Sequence, residues 1–303
     1  MQNIKLYTAI VLAMIFWAVS FIWTRVAIES FQPVTLISLR LLVASVLLYV
    51  VSKSTGKFQK LRKEDVKWFL LLAFFEPFMY YLGETYGLTM VASTLASVIV
   101  STIPLFAPIL AYILLKEKLG WTNILGIFVS LGGVFLVIYE PAGGFTANPW
   151  GVALLFLAVL SAICYTATLR KIPTHYSTLN VILYQSVIGL GFFAPTFFIT
   201  DFSTIGTLQV TRESLGALLM LAVFASVIAF VLFADVVRKI GVARTNVFVN
   251  LIPVFTALFA WMFMDEEITW LKGIGIGVVV LGLFVSQFGK MKFSLKRIRG
   301  TEY

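Results

Sequence analysis

The chain has 303 residues, of which 60% are hydrophobic and 12% are charged, and its formal net charge is +9. A soluble domain of this size carries about twice that share of charge, so the composition excludes an ordinary water-soluble fold and indicates a polytopic membrane protein. The basic residues lie between apolar runs and at the C-terminus, which favours contact with anionic lipid headgroups over a nucleic acid partner. A single cysteine, Cys164, excludes an internal disulfide framework, and with the single His175 it makes a poor metal site.

Ten apolar stretches are each long enough to cross a bilayer, which takes about 20 residues. They run over residues 7–28, 34–52, 67–86, 91–115, 121–139, 150–169, 179–199, 214–235, 243–264 and 270–288. The first could instead be a signal peptide cleaved near Ser20, but its bulky continuation to Ile28 favours a retained helix. We therefore predict an all-α integral membrane protein with ten transmembrane helices and no extramembrane domain.

The distribution of positive charge predicts the orientation of these spans. With a cytoplasmic N-terminus, 19 Lys and Arg residues lie in the inner segments, and three, Arg25, Arg212 and Lys272, lie in the outer ones. Arg40 lies within the second span. Because cytoplasmic loops carry an excess of Lys and Arg, both termini are predicted to be cytoplasmic.

Two stretches 149 residues apart resemble each other. Segment 91–138 aligns with segment 240–287 without a gap, and 13 of the 48 positions are identical. The identities include the pairs Pro104/Pro253, Glu117/Glu266, Trp121/Trp270, Gly126/Gly275 and Gly133/Gly282. Each half, 1–140 and 141–303, holds five spans, so the second half enters the membrane from the opposite side. Lysines flank the inner Glu117 and acids flank the outer Glu266, as an inverted repeat requires, and such repeats mark many secondary transporters.

The repeated stretches "PLFAPILAYILLKEKLGWTNILGIFVSLGGVFLVI" and "PVFTALFAWMFMDEEITWLKGIGIGVVVLGLFV" resemble the drug/metabolite transporter superfamily, specifically its EamA type with ten helices. "FWAVSFIWTRVA" and "LISLRLLVAS", with Arg40 at the typical Arg position, are similar to the family's first two helices, so the resemblance covers about residues 7–288. It implies a basket of two inverted five-helix repeats around a central substrate cavity. Many members of the family export amino acids or related metabolites, while others carry different cargo.

Glu76 lies near the middle of the third span, where an ionisable group costs about 3 kcal/mol. Pro77 removes one helix hydrogen bond there. At helical spacing the face of Glu76 is shared by Tyr80, Gly83 and Gly87. One interpretation is a cavity wall in which Glu76 is a proton acceptor or a cation partner; the other is a protonated structural Glu. At offset 149 Glu76 matches Ala225, so the carboxylate is absent from the second half, which favours a functional role.

Arg40 lies in the outer third of the second span. Aligning "ISLRLLVA" with "ILYQSVIG" makes Gln185 its repeat partner. The guanidinium could bind a substrate carboxylate, pair with Glu84 or Glu76, or reach the outer headgroups. Because the family pattern has an Arg here across varied cargo, a structural or gating role is favoured.

Two polar pairs precede the repeated prolines by about one turn. Asn246 and Asn250 precede Pro253, and Ser97 and Ser101 precede Pro104. In inverted halves they suit a cavity approached alternately from each side. The alternative is interhelical hydrogen bonding, worth about 0.6 kcal/mol per contact.

Several further residues are assigned from their position in the spans. Trp17 and Ser20 share one face of the first span, and Tyr165 lies inside the sixth; each either lines the cavity or packs in the core. Glu117 and Glu266 lie at helix ends, which favours helix termination, salt bridges or gate contacts over substrate binding. Close helix packing is predicted for Gly126, Gly132, Gly133, Gly273, Gly275, Gly277 and Gly282.

The sequence thus predicts a multi-pass transporter of a bacterial-type cell membrane that moves a small metabolite by alternating access. An amino acid or a related amphipathic compound is the expected cargo, with export as the expected direction, proton coupling as an option, and a monomer compatible with the pattern. Alternatives are a nucleotide-sugar or drug-like cation as cargo, a lipid-modifying enzyme, or a channel. An enzyme would need a reactive cluster and a channel a ring of repeated charge, and neither is visible. No catalytic residue, metal or cofactor is predicted.

Overall fold

The computed structural model describes residues 2–106, 120–140, 144–145, 147–169, 171–240, 245 and 247–299. In these ranges the α-helices are α1 (Gln2–Ala27), α2 (Pro33–Ser54), α3 (Val66–Ala73), α4 (Tyr80–Met90), α5 (Ser93–Val100), α6 (Trp121–Ile138), α7 (Pro149–Leu169), α8 (Thr178–Thr200), α9 (Arg212–Met220), α10 (Phe230–Ile240), α11 (Leu251–Phe263) and α12 (Trp270–Arg299). Two π-helical segments connect neighbouring helices: π1 (Phe74–Met79) joins α3 to α4, and π2 (Leu221–Ala229) joins α9 to α10. The chain also has 3₁₀ turns at Phe202–Thr207 and Val247–Asn250, and a short antiparallel pair of strands, Tyr139–Glu140 and Gly144–Phe145.

The helices have the length and composition of membrane spans. In the described part of the chain, six are long and apolar enough to cross a bilayer, namely Ile4–Ala27, Pro33–Ser54, Trp121–Ile138, Pro149–Leu169, Thr178–Thr200 and Arg212–Val237. Three shorter apolar helices are Ser93–Phe106, Phe248–Phe263 and Trp270–Ser286. Large apolar side chains such as Phe128 and Trp261 are exposed on their outer surface, as lipid contact requires. The protein is therefore a multi-pass membrane protein, with helices close to the predicted spans.

The third predicted span, residues 67–86, is not one regular helix. Glu76 has extended backbone angles (φ −144°, ψ 119°), and the Glu76–Pro77 peptide bond is cis. Pro77 has no N–H to donate, and its ring disfavours a helical conformation for the residue before it. The helical path therefore breaks at Glu76 and resumes through π1 into α4.

The second half has an irregular segment at the equivalent place. Residues 74–79 correspond at offset 149 to residues 223–228, which lie inside π2. The two segments differ in sequence, because Glu76 and Pro77 are replaced by Ala225 and Ser226. A π-helical segment is thus common to both halves, whereas the carboxylate belongs to the first half alone.

The helices α6 and α12 pack closely and antiparallel through their glycines. A Cβ atom on Gly126 would lie 2.6 Å from the carbonyl oxygen of Gly282, and one on Gly133 would lie 2.7 Å from that of Gly275. Since Gly126 matches Gly275 and Gly133 matches Gly282, each glycine contacts the counterpart of the other. At the centre of this contact, Ser130 Oγ donates to the carbonyl oxygen of Val279, its own counterpart, at 3.1 Å. The contacts are therefore reciprocal, as in a two-fold interface.

Close packing is confirmed for Gly126, Gly133, Gly275 and Gly282, but the same prediction is wrong for three other glycines. A Cβ atom on Gly132, Gly273 or Gly277 would meet no described atom within 4 Å. These three lie on the opposite faces of α6 and α12, which point away from the helix–helix contact.

The helices of the two halves interleave around the centre. Helix α1 packs against π2 and α11, and α7 packs against π1 and α5, while α2 packs against α8. This arrangement places α2, α7 and α8 around the two π segments. It is the frame that positions the polar side chains described below.

Two connections at one end of the bundle are tied together by a buried polar network. The hydroxyl of Tyr176 donates to Asp65 Oδ2 at 2.8 Å and accepts from the backbone N–H of Arg62 at 3.0 Å. Burial raises the pKa of Tyr176, so its hydroxyl stays protonated and remains a donor. Asn180, at the start of α8, donates to the carbonyl oxygen of Lys57 at 2.7 Å. The segment between α2 and α3 is therefore fixed to the start of α8.

Candidate functional site

Three ionisable side chains meet in the interior, between the two π segments. Arg40 of α2 is 4% exposed, and Glu76 of π1 and Glu84 of α4 are each 7% exposed. The three are close enough to interact electrostatically. Within the described residues, however, the ion pairs are Arg62–Glu64 and Lys239–Asp235, and none joins Arg40 to either acid. The interior thus holds two carboxylates and one guanidinium that do not neutralise one another directly.

Arg40 is held by the second half of the chain. Its Nε donates to Ser226 Oγ of π2 at 2.6 Å, and its guanidinium carbon lies 4.2 Å from the centre of the Tyr81 ring. The predicted alternative of an ion pair with Glu84 or Glu76 is therefore not formed. Among the residues that the structure describes, the hydrogen bond of Arg40 is the one from Nε to Ser226, and its two terminal nitrogens have no acceptor.

The contacts favour Gly189 over Gln185, the approximate partner from the sequence alignment, as the repeat partner of Arg40. Arg40 contacts Ser226, and in the other half a Cβ on Gly189 would collide with Pro77, the counterpart of Ser226. Gly189 lies 149 residues after Arg40, so the contact places Gly189 at the equivalent position, one turn further along α8 than Gln185. The side chain of Gln185 instead accepts a hydrogen bond from Tyr165 at 3.2 Å.

Glu76 and Glu84 have different surroundings. The hydroxyl of Tyr80 donates to Glu84 Oε1 at 2.9 Å. No hydrogen bond to the Glu76 carboxylate exists in the described part of the structure, although Tyr80, Tyr81 and Tyr165 are near enough to interact with its charge. Tyr80 and Tyr165 are only half-buried. Glu76 is therefore a buried acid that lacks a protein donor and lies beside half-buried hydroxyls.

Gly83 and Gly87 do not extend this wall, contrary to the predicted shared face. A Cβ atom on Gly83 would meet the backbone of Leu154, and one on Gly87 would meet the side chain of Leu155. Both glycines therefore pack against α7. The reason is the break at Glu76, which changes the helical phase between the carboxylate and the glycines that follow it.

Each π segment is held by a side-chain donor from the first helix of the other half. Ser161 Oγ of α7 donates to the carbonyl oxygen of Phe75 at 2.6 Å. Trp17 Nε1 of α1 donates to the carbonyl oxygen of Ala225 at 3.3 Å, and the Trp17 ring packs against Phe230 and Phe233. Trp17 is therefore half-buried against π2, whereas the Ser20 hydroxyl bonds to the carbonyl oxygen of Trp17 in its own helix at 2.7 Å.

Of the predicted polar pairs before the prolines, Ser97, Ser101 and Asn250 make no hydrogen bond to this cluster within the described residues. Ser97 and Ser101 are fully buried, and their hydroxyls donate to the carbonyl oxygens of Thr94 and Val98 in their own helix. Asn250 is buried, and neither polar atom of its side chain has a partner in the described structure. Asn246 and Glu117 lie outside the described residues. Pro253 is buried in α11, and Pro104 follows the turn after α5.

Glu266 caps a helix of the other half. Its carboxylate accepts from the backbone N–H of Ser93 at 2.9 Å and from Thr94 Oγ1 at 2.7 Å, with a longer bond from the N–H of Thr94. These donors lie at the start of α5, where a helix leaves its first N–H groups unpaired and favours negative charge. The acid therefore fixes the connection between α11 and α12 onto α5.

Replacing Glu266 with Ala is expected to lower the free energy of unfolding by about 1–2 kcal/mol, because the first turn of α5 loses its acceptor. The measurement is thermal unfolding of the purified protein in detergent. Glu267→Ala is the matched control, since Glu267 is adjacent, exposed and without such a contact. Equal unfolding temperatures for the two variants would contradict the capping role.

Sequence reasoning missed three residues of the cluster: Tyr81, Ser161 and Ser226. Ser226 could have been found from the repeat, because it matches Pro77 at offset 149. Tyr81 directly follows Tyr80, and successive residues of a regular helix point in different directions, so the sequence did not place both side chains in one cluster. Ser161 is one small polar residue in an apolar helix, with no spacing that sets it apart.

Comparison with known proteins places the chain in a family of transporters. The sequence model of the "EamA-like transporter family" matches residues 4–139 and again residues 149–288. An uncharacterized transporter of Archaeoglobus fulgidus is 26% identical over 281 residues, which cover 93% of this chain and 98% of the relative. The uncharacterized transporter YetK of Bacillus subtilis is 28% identical over 288 residues, which cover 94% of this chain and 87% of the relative.

One relative has a more specific name. A "Probable terminal-alkyne amino-acid exporter" of Streptantibioticus cattleyicolor is 25% identical over 288 residues, which cover 94% of each chain. A crystal structure that is 15% identical in sequence has the same fold, with a TM-score of 0.66 over 95% of this chain and 98% of that one. Because the family's sequence model matches most of the chain in two successive copies, the protein belongs to the EamA-like transporter family.

Proposed function

We propose that the protein is a secondary active transporter that moves a small zwitterionic metabolite, an amino acid or a related amphipathic compound, by alternating access. The six long and three shorter apolar helices, together with the broken segment Val66–Met90, make ten spans. The halves 1–140 and 141–303 lie inverted in a bacterial-type cell membrane, with both termini in the cytoplasm.

The reciprocal contacts support the inverted arrangement. Gly126 and Gly133 contact each other's counterparts, and Arg40–Ser226 and Gly189–Pro77 form a second matched pair across the centre. Because the equivalent helices α6 and α12 pack antiparallel, the two-fold axis that relates these contacts lies in the membrane plane, and the second half is upside down relative to the first. Rocking of one half against the other then exposes a central site to each side in turn.

The proposed class of substrate rests on Arg40 and Glu76, which form no ion pair with each other. Arg40 offers two free terminal nitrogens, and Glu76 offers a carboxylate with no donor among the described residues. An α-amino acid holds an anionic and a cationic group one carbon apart, and it satisfies both side chains at once. Because an unpaired buried charge is costly, binding such a zwitterion is favourable. The named amino-acid exporter among the relatives supports export of this class of cargo.

Tyr80 and Tyr165 complete the proposed site. Both are half-buried, and both lie within electrostatic range of Glu76. Their rings give the amphipathic part of the substrate an apolar surface, and their hydroxyls give it hydrogen-bond partners. Half-buried aromatic rings with a few placed polar groups are the usual lining of a small-molecule site.

A second candidate cargo, a drug-like organic cation, is favoured by the balance of charge. The cluster has two carboxylates and one guanidinium, and thus an excess of acid. A proton or a cationic substrate neutralises this excess. When no zwitterion is bound, the carboxylate of Glu76 is available for a proton instead, so a proton-coupled mechanism follows from the same arrangement.

The test is substrate counterflow in liposomes that contain the purified protein. We expect saturable counterflow with at least one zwitterion from a panel of the common amino acids and L-propargylglycine, and none in protein-free liposomes. Counterflow of tetraphenylphosphonium alone would favour the cationic cargo. The proposal would be contradicted if neither class of compound gave counterflow with protein whose thermal unfolding transition shows that it is folded.

A further inference from the structure

We infer that Ser161 is a positioning residue that sets the direction of the Glu76 side chain through the backbone of π1. The inference rests on the proposed role of Glu76 and deepens it, because it names the contact that gives this carboxylate its place. Ser161 lies on α7, in the other half of the chain, and does not contact the Glu76 carboxylate itself.

The contact is made at the residue directly before the break. The Ser161 hydroxyl donates to the carbonyl oxygen of Phe75 at 2.6 Å, and the same oxygen accepts the backbone N–H of Tyr80. Glu76 itself has extended backbone angles and so lacks the constraint of a regular helix. Because the peptide unit between Phe75 and Glu76 is planar, fixing this carbonyl also fixes the Glu76 N–Cα bond, about which the extended φ of −144° then sets the direction of the side chain.

The second half shows that such a donor is part of the fold. Trp17 of α1 holds the carbonyl oxygen of Ala225 in π2, and α1 occupies in the first half the place that α7 occupies in the second. Each π segment thus has one carbonyl bonded to a donor from the other half. At π2 the donor fixes the backbone beside Ser226, the residue that binds Arg40. At π1 the donor fixes the backbone beside a carboxylate.

The groups that face Glu76 are otherwise independent of Ser161. They are Arg40 from α2, Tyr165 from α7, and Tyr80, Tyr81 and Glu84 from the same span. On α8, the neutral amide of Gln185 is bonded to Tyr165. Removing the Ser161 hydroxyl changes none of these charges. A change in the titration or reactivity of position 76 then reports a change in its geometry.

The first experiment follows the infrared carbonyl band of protonated carboxylic acids in the purified full-length protein as a function of pH. The band of Glu76 is the one lost in Glu76→Gln. Ser161→Ala is expected to shift the midpoint of this band by about 0.5–1 pH unit, which corresponds to the net worth of one hydrogen bond. Ser161→Thr retains the hydroxyl and is expected to titrate like the wild type.

Ser130→Ala is the matched control. Ser130 is also a buried serine that donates to a main-chain carbonyl of the other half, but it lies between α6 and α12. We expect Ser130→Ala to lower the unfolding temperature and to leave the midpoint of the Glu76 band unchanged. The inference would be overturned if Ser161→Ala, like this control, left the midpoint of the Glu76 band unchanged.

A second experiment needs neither substrate nor titration. The chain has one cysteine, so Cys164→Ser gives a background in which Glu76→Cys is the single thiol. Its rate of modification by the cationic reagent MTSET is expected to change by about fivefold when Ser161 is replaced by Ala, and to stay the same with Ser130→Ala. If Ser161→Ala changes this rate but Glu76→Gln loses no infrared band, the positioning role of Ser161 is supported, and the proposal that Glu76 binds a proton is contradicted. Equal rates in both variants would contradict the positioning role.

Discussion

Replacing Glu76 with Gln is expected to reduce counterflow of a zwitterionic substrate at least about tenfold. Glu76 is buried at the break in the third span, and its carboxylate has no hydrogen-bond donor in the described part of the chain. In the proposed complex it therefore binds the substrate ammonium group without competition. Removing one partner of a buried charge pair costs about 2–5 kcal/mol, and each 1.4 kcal/mol is a factor of ten. Gln keeps the shape of the side chain, so the loss isolates the charge.

Glu84→Gln is the matched control for this prediction. Glu84 is equally buried and belongs to the same cluster, but its carboxylate already accepts a hydrogen bond from Tyr80. The amide of a Gln can accept the same bond, so this variant is expected to lose only a few-fold in counterflow. It should also keep the pH dependence of transport, whereas Glu76→Gln should lose it. Wild-type transport with an unchanged pH profile in Glu76→Gln would remove Glu76 from the mechanism.

The helical spans could be predicted because apolar length is a local property of the sequence. Pro77 also marks the break in the third span, since the lost N–H belongs to proline itself. The π-helical segment π2 has no such marker. Its sequence, "LAVFASVIA", contains neither proline nor glycine and looks like a regular apolar helix. Only the packing of α1 and the donor from Trp17 distinguish it.

The cluster could be predicted in part. An acid within an apolar span is rare and stands out, and so does an arginine, which is why Glu76 and Arg40 were both expected to matter. The partner of Arg40 is Ser226, 186 residues away, and only the interleaving of the two halves brings them together. The alignment with Gln185 differs by one helical turn from the partner that the contacts favour, because apolar helices match almost equally well when they are shifted by four residues.

The repeat predicted more than either half alone. Offset 149, read from the prolines and glycines of the fourth and fifth spans, also relates π1 to π2 and Arg40 to Gly189. The halves therefore share a backbone plan, while their polar side chains differ. Both Arg40 and Glu76 belong to the first half, and their counterparts in the second half are Gly189 and Ala225, which carry no charge.

Replacing Gly133 with Ala is expected to destabilise the fold, whereas the same change at the adjacent Gly132 is not. A Cβ on Gly133 would lie 2.6 Å from the backbone nitrogen of Val279 and 2.7 Å from the carbonyl oxygen of Gly275. Backbone atoms cannot move aside as a flexible side chain can, so α6 and α12 must separate. Overpacking of this kind costs about 1–3 kcal/mol or more, and helices in a membrane depend on such close approach for their association.

The control differs from the test by a single position in the same helix. A Cβ on Gly132 would meet no described atom within 4 Å, and Ala is a better helix former than Gly by about 1 kcal/mol. Gly132→Ala is therefore expected to unfold at the wild-type temperature or slightly above it, and Gly133→Ala several degrees below. Thermal unfolding in detergent, read by size-exclusion chromatography, measures both. If the two variants unfold at the same temperature, α6 and α12 are not in glycine contact, and the two-fold relation between the halves loses its main support.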